Sequence, residues 1–140
     1  MENKQIKLKV KTNYSYTPLA KCEVGGDNVN FYGIIVDATF PHASFHKEDK
    51  FICTLRVTDP SLPINNKGEA EFISLVFFAN KFDQLPVCQR IGDIIRVHRA
   101  TVGTYKDRKQ ISVNICFNSS WALFPAVVQN YQEESKASKD

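Results

Sequence analysis

The sequence predicts an all-β fold: a small closed barrel of five strands with small helices appended. Three observations carry that prediction. Five segments are rich in β-branched and aromatic residues or alternate apolar with polar residues at period two, and turn residues bound them. Gly33 lies inside the first of these segments, where a strand can bulge or bend sharply enough for a barrel to curl. The chain has 140 residues, a length that suits one domain and buries a core without a disulfide or metal staple. A β-sandwich is the alternative, but it wants more strands at even spacing.

Along the chain, the alternation from Lys4 to Lys11 reads equally as a short strand, with Ile6, Leu8 and Val10 inward, or as a basic arm for phosphates. Residues 1–13 are therefore set apart from the barrel expected over 14–131. Strands are expected at 29–38, 50–58, 71–79, 94–101 and 110–117. Asn80 can cap a short helix through residue 84, closed by Pro86. The polar Asn118-Ser-Ser120 can start a terminal helix over 121–131, with Trp121, Leu123, Phe124 and Val128 as its apolar side. Residues 132–140 read as a polar, solvated tail. Five strands with a helix between the third and fourth match the Greek-key order of the oligonucleotide-binding (OB) fold.

Net charge is only +3, so any affinity for polyanions must come from local clustering. The clustering is in the last hairpin. From Arg96 to Lys109, the cations Arg96, Arg99, Lys106, Arg108 and Lys109 face a single carboxylate, Asp107, and enclose His98 and Tyr105. Cations draw phosphates and an aromatic face stacks on a base. On adjoining strands of a barrel, the two make a footprint for single-stranded nucleic acid. Cys22, Cys53, Cys88 and Cys116 lie far apart with no C-x-x-C pair, which fits free thiols in a reducing, intracellular compartment. No secretory signal, apolar span or lipidation motif is read in the sequence, so no membrane partner is expected. His42 and His46 stand in H-x-x-x-H spacing near Cys53 without a fourth ligand. No phosphate loop or nucleophile elbow appears. We therefore expect no cofactor, no metal and no catalysis.

The residues also resemble a known family. The segments are Tyr16-Thr-Pro-Leu19, Phe31-Tyr-Gly-Ile-Ile-Val-Asp-Ala-Thr-Phe-Pro41, Leu55-Arg-Val-Thr-Asp-Pro-Ser61, Phe78-Ala-Asn-Lys-Phe-Asp-Gln-Leu-Pro86, Gly92-Asp-Ile-Ile-Arg-Val-His-Arg-Ala-Thr101 and Ser119-Ser-Trp-Ala-Leu-Phe124. In this order they resemble the first OB fold of telomere end-binding proteins, the alpha-subunit group in particular and the protection-of-telomeres group more loosely. The likeness covers about 14–125. It implies binding of the G-rich single-stranded 3′ overhang of chromosome ends, chromosome-end protection, and a place at the telomere in the nucleus. Family members usually carry two or more such barrels, so further OB domains or a telomere-binding partner subunit are also implied.

The candidate DNA-binding residues follow. Tyr105 is a stacking platform at the hairpin tip, or a pin for the hairpin. Phe78 aligns with a base-contacting position of the family, or belongs to the core. Arg99 can stack on a base or fork onto guanine acceptors, or make a surface ion pair, and its face is ambiguous. His98 points to the other face and reads equally as a structural histidine. Lys106, Arg108 and Lys109 are phosphate contacts or a solvated tip, and Gln110 can bond a base edge. The first long connection offers Thr39, Phe40, His42, Ser44 and Phe45, because this loop and the last hairpin close over a ligand in such barrels. Asp37 can accept from a guanine amine or cap the strand. Arg56 lines the groove or pairs with a carboxylate. The rival reading is a protein-interaction barrel of a telomere, telomerase or replication complex, with weak or non-specific affinity for single strands.

Overall fold

The computed structural model describes residues 13–47 and 49–126. The expected N-terminal arm, apart from Asn13, and the tail at 132–140 lie outside the described residues. Among the described residues seven strands form: β1 (Val29–Ala38), β2 (His42–Ala43), β3 (Phe51–Thr58), β4 (Ile73–Ala79), β5 (Ile94–Tyr105), β6 (Arg108–Asn114) and β7 (Ser120–Phe124). Five of them close a barrel in the order β1–β3–β4–β6–β5, and β5 returns to β1. β4 and β6 run parallel; the other pairs are antiparallel. That is the expected OB topology.

Alternation fills the interior. Phe31 and Ile35 of β1, Cys53, Leu55 and Val57 of β3, Leu75 and Phe77 of β4, Ile95, Val97 and Val102 of β5, and Ile111 and Val113 of β6 are all buried. Leu19, from a single 3-10 turn at Leu19–Lys21, joins the same core. Burial holds the Cys53 thiol at a pKa of about 12, so it behaves as a small hydrophobe.

Gly33 is needed for a reason other than the expected bulge. A Cβ on it would stand 2.8 Å from Val57 Cβ, so glycine here lets β1 and β3 approach across the interior. The bulges fall elsewhere. Val36 is the extra residue of β1 between Ile35 and Asp37, and β5 carries an extra residue opposite Val29 and Phe31. Because Val57 is itself fully buried, G33A is expected to cost about 1–3 kcal/mol through overpacking. Urea unfolding measures this; an unchanged midpoint would remove the close-approach account.

Four expected boundaries change. Ser120–Phe124 is a strand, not the start of a helix over 121–131 (residues 127–131 lie outside the described residues). Trp121 and Leu123 alternate inward against Val97 and Ile95, and the period of two overrides the helical reading. Trp121 Nε1 also donates to the Gln84 carbonyl at 2.9 Å. The fifth barrel strand stops at Asn114, because the Asn114 side chain accepts from the Cys116 N–H at 3.0 Å and starts a 3-10 turn at Ile115–Phe117. The helix between the third and fourth barrel strands is one 3-10 turn, Phe82–Gln84. β5 runs on to Tyr105, so the hairpin tip is the pair Lys106 and Asp107, both with positive φ (52° and 65°), a two-residue turn whose twist matches its strands. No helix among the described residues is long and apolar enough to cross a membrane.

Candidate nucleic-acid interface

The outer face of β3, β4 and β6 mixes polar and aromatic residues with a few aliphatic ones, where the inner face is wholly apolar. Register puts Phe78 beside Ile52 and Asn114, Ser74 beside Arg56 and Gln110, and Tyr105 beside Arg108. Phe78, Arg56, Gln110 and Tyr105 thus share one face of the barrel. Tyr105 stands 57% exposed at its end. Phe78 is half-buried, while its neighbour Phe77 points into the core.

Between the 60–72 loop and the β5–β6 hairpin lies a cleft of about 760 Å3, lined in part by Phe72, Ser74, Tyr105, Arg108 and Gln110. The Arg56 guanidinium lies 4.9 Å from the Phe72 ring centre, and its Nη1 is 3.4 Å from Asp37 Oδ2. Asp37 is therefore shared with Arg56 and does not stand as an isolated acceptor. At the other end of β4, Lys47 Nζ lies 6.0 Å from the Phe78 ring centre. Cations and rings alternate along this face, the pattern single-strand channels use.

β2 lays the first long connection along β3, with His42 opposite Ile52. His42 and Phe45 stay exposed, Phe45 by 91%, and their rings sit 6.2 Å apart. Two loop residues have other partners. Ser44 Oγ accepts from the His46 and Lys47 N–H groups, at 3.2 Å each. Thr39 Oγ1 accepts from the Thr54 N–H at 2.9 Å, so its hydroxyl clasps the loop to β3. Lys106 lies 5.4 Å from the Tyr105 ring centre. Lys109 has the opposite parity to Gln110 and borders the cleft from its end. Its charge reaches the Cys22 thiol, whose pKa burial raises and Lys109 partly lowers.

His98 and Arg99 are not in this groove. They belong to the outer face of β5 toward β1 and β7, across the barrel from β3 and β4. Arg99 has a φ of 62°, and its N–H donates to Asn30 Oδ1 at 2.8 Å, which fixes the β5 bulge. Its guanidinium donates to Asn118 O at 2.6 Å, Tyr14 Oη at 2.6 Å and Ser120 Oγ at 3.2 Å. The His98 ring stacks on Tyr14, with centres 3.8 Å apart and planes 10° apart. Tyr16 Oη lies 2.7 Å from His98 Nε2. Tyr14, Tyr16, Arg96, His98, Arg99 and Ser120, with Asn13, line a second cavity of about 520 Å3 that holds no carboxylate and can take an anion. Sequence reasoning missed Tyr14 as a site residue and used Tyr16 only as part of a family motif. Two tyrosines two apart, before the first strand, were the available signal. It also missed Phe72 and Lys47, which tertiary packing against Arg56 and Phe78 brings to the groove.

Burial first, then Arg96 and Arg99, holds the His98 imidazole below its ordinary 6.5. A neutral ring shares a hydrogen bond with Tyr16 Oη through Nε2. The unfolded chain then binds more protons than the folded one. Stability is expected to fall as pH drops through 6.5 and to level off below the folded value. Denaturant midpoints between about pH 7.5 and 5 test this. H98Q should flatten that part of the profile, and an identical profile in H98Q would contradict it.

The sequence profile of the family described as telomeric single-stranded DNA-binding POT1/CDC13 matches residues 10–139. The chain belongs to that family. Among its relatives, the telomere-binding protein subunit alpha of Stylonychia mytilus is 42% identical over 123 residues, which cover 84% of this chain and 24% of that protein. The telomere-binding protein 51 kDa subunit of Euplotes crassus is 40% identical over 116 residues, covering 81% of this chain and 25% of that protein. The chain thus spans about a quarter of the length of these relatives. Among solved structures, a Pot1 (protection of telomere) complex with single-stranded DNA superposes with a TM-score of 0.65 at 25% identity, covering 79% of this chain and 63% of that one. Fission yeast Pot1 with single-stranded DNA shares the fold, at a TM-score of 0.67 and 21% identity over 88% of this chain and 40% of that one.

Proposed function

We propose that this domain binds the unpaired G-rich DNA of chromosome ends, in the nucleus, and so contributes to their protection. The binding unit is taken as residues 14–131, with 1–13 as a basic arm or short strand. The observation that carries the reading is the shared outer face of Phe78, Arg56, Gln110 and Tyr105, closed at one end by the 39–47 loop and at the other by the hairpin. Bases stack on Tyr105 and Phe78, with Phe45 and His42 as loop platforms. Lys47, Lys106, Arg108 and Lys109 neutralise phosphates. Ser44 and Gln110 offer polar atoms to base edges. Thr39 and Asp37 shape the groove through Thr54 and Arg56. Arg96, His98 and Arg99 form a separate contact on the far side of β5, where the uncompensated cavity suits a phosphate. About three-quarters of the length of these relatives lies outside the matched stretch, which supports further domains or a partner subunit acting beside this one.

Fluorescence anisotropy with G-rich and C-rich oligomers across a salt series tests the proposal. Selective binding to the G-rich strand is expected, with a salt slope near −0.7 per phosphate neutralised. Equal, weak affinity for both sequences would favour the rival reading, a barrel whose groove receives a protein partner.

A further inference from the structure

The 760 Å3 cleft beside Tyr105 carries two carboxylates, Glu69 and Glu71, along with its rings and cations. A carboxylate at the mouth of a polyanion channel repels the ligand unless it meets donors there. Unpaired bases differ in what they offer. Guanine alone presents two adjacent donors on its Watson–Crick edge, the ring N1–H and the exocyclic N2 amine, and a carboxylate accepts both at once. Thymine has one donor between two carbonyls, and adenine and cytosine pair each amine with a ring acceptor.

The two glutamates differ in availability. Glu69 Oε1 already accepts from Asn65 Nδ2 at 2.9 Å. Glu71 is held by its backbone, whose N–H donates to Pro63 O at 3.0 Å. Among the described residues its carboxylate has no hydrogen-bond or ion-pair partner, whereas Asp37, the other acidic candidate, lies against Arg56. Gln110 lines the same cleft and carries amide donors for a carbonyl such as guanine O6.

We propose that Glu71 is a specificity-determining residue: its carboxylate accepts from the N1–H and N2 amine of one guanine held in the cleft between the 60–72 loop and Tyr105. This rests on the DNA-binding reading and adds to it the base that one subsite selects. The order of the groove then assigns stacking to Tyr105, phosphate neutralisation to Arg108 and base choice to Glu71.

The test titrates the protein with a G-rich single strand and with a series in which inosine, which lacks the N2 amine, replaces one guanine at a time. At one position, inosine is expected to weaken wild-type binding roughly 10-fold or more. E71A should weaken binding of the parent strand and remove the inosine penalty at that position only. E71Q, isosteric but neutral, should lose most of the discrimination while unfolding at the wild-type midpoint. Wild-type binding that is indifferent to inosine everywhere, or a full penalty kept by E71A, overturns the assignment and leaves DNA binding standing. Failure of the wild type to bind any oligonucleotide overturns both.

Discussion

Replacing Phe77 by alanine is expected to destabilise the barrel by about 3–5 kcal/mol, while the same change at Phe78 leaves the fold in place and weakens DNA binding by about 1–3 kcal/mol. The two rings are neighbours in sequence and opposite in role, because successive residues of a strand face opposite sides. Phe77 is fully buried among the largest core side chains. Its loss opens a cavity that the closed sheet cannot collapse into, and a few kcal/mol is a large part of a total of roughly 5–15 kcal/mol. Phe78 lies on the outer face with Lys47 6.0 Å from its ring centre, where a base can stack on it. Denaturant midpoints and anisotropy on both variants separate the roles. F78A that unfolds as easily as F77A, or that binds like the wild type, would take Phe78 out of the interface.

Y105A is expected to cost about 1–3 kcal/mol of binding, roughly 5- to 150-fold in Kd, with little change in stability. Its ring is 57% exposed, and the hairpin does not need it. The turn geometry resides in Lys106 and Asp107, and the ladder pairs Gly103 with Gln110 beneath it. Y105F keeps a π face and should bind nearly as well as the wild type. An unchanged Kd in Y105A would show that the ring is not used, and equal losses in Y105A and Y105F would assign the effect to the hydroxyl instead of stacking.

The barrel strands were legible because, outside the β1 and β5 bulges, their buried faces run at a period of two: Phe51, Cys53, Leu55 and Val57 leave no other way to pack. The shared face of Phe78, Arg56, Gln110 and Tyr105 was partly legible for the same reason, since it is the complement of the core positions. The division of the basic residues between two sides of the barrel was not. By simple alternation Ile95, Val97 and Arg99 share a face, which would put a guanidinium in the core. The β5 bulge resolves the conflict by giving Arg99 a left-handed backbone and letting Ala100 and Val102 resume the interior. That bulge depends on Asn30 and Tyr14, remote in sequence, and no local pattern reports it. β7 was misread because Trp121, Leu123 and Phe124 suit a helix or a strand equally until β5 supplies a partner.

Amide chemical-shift mapping during titration with a G-rich single strand locates the bound strand on the barrel. The largest changes are expected along 39–47, 72–78 and 103–110, with a separate, smaller response around Arg96 to Arg99. Changes confined to the exposed apolar side formed by Ile34, Ile94 and Phe124, with the Phe78–Tyr105 face unmoved, would contradict that placement.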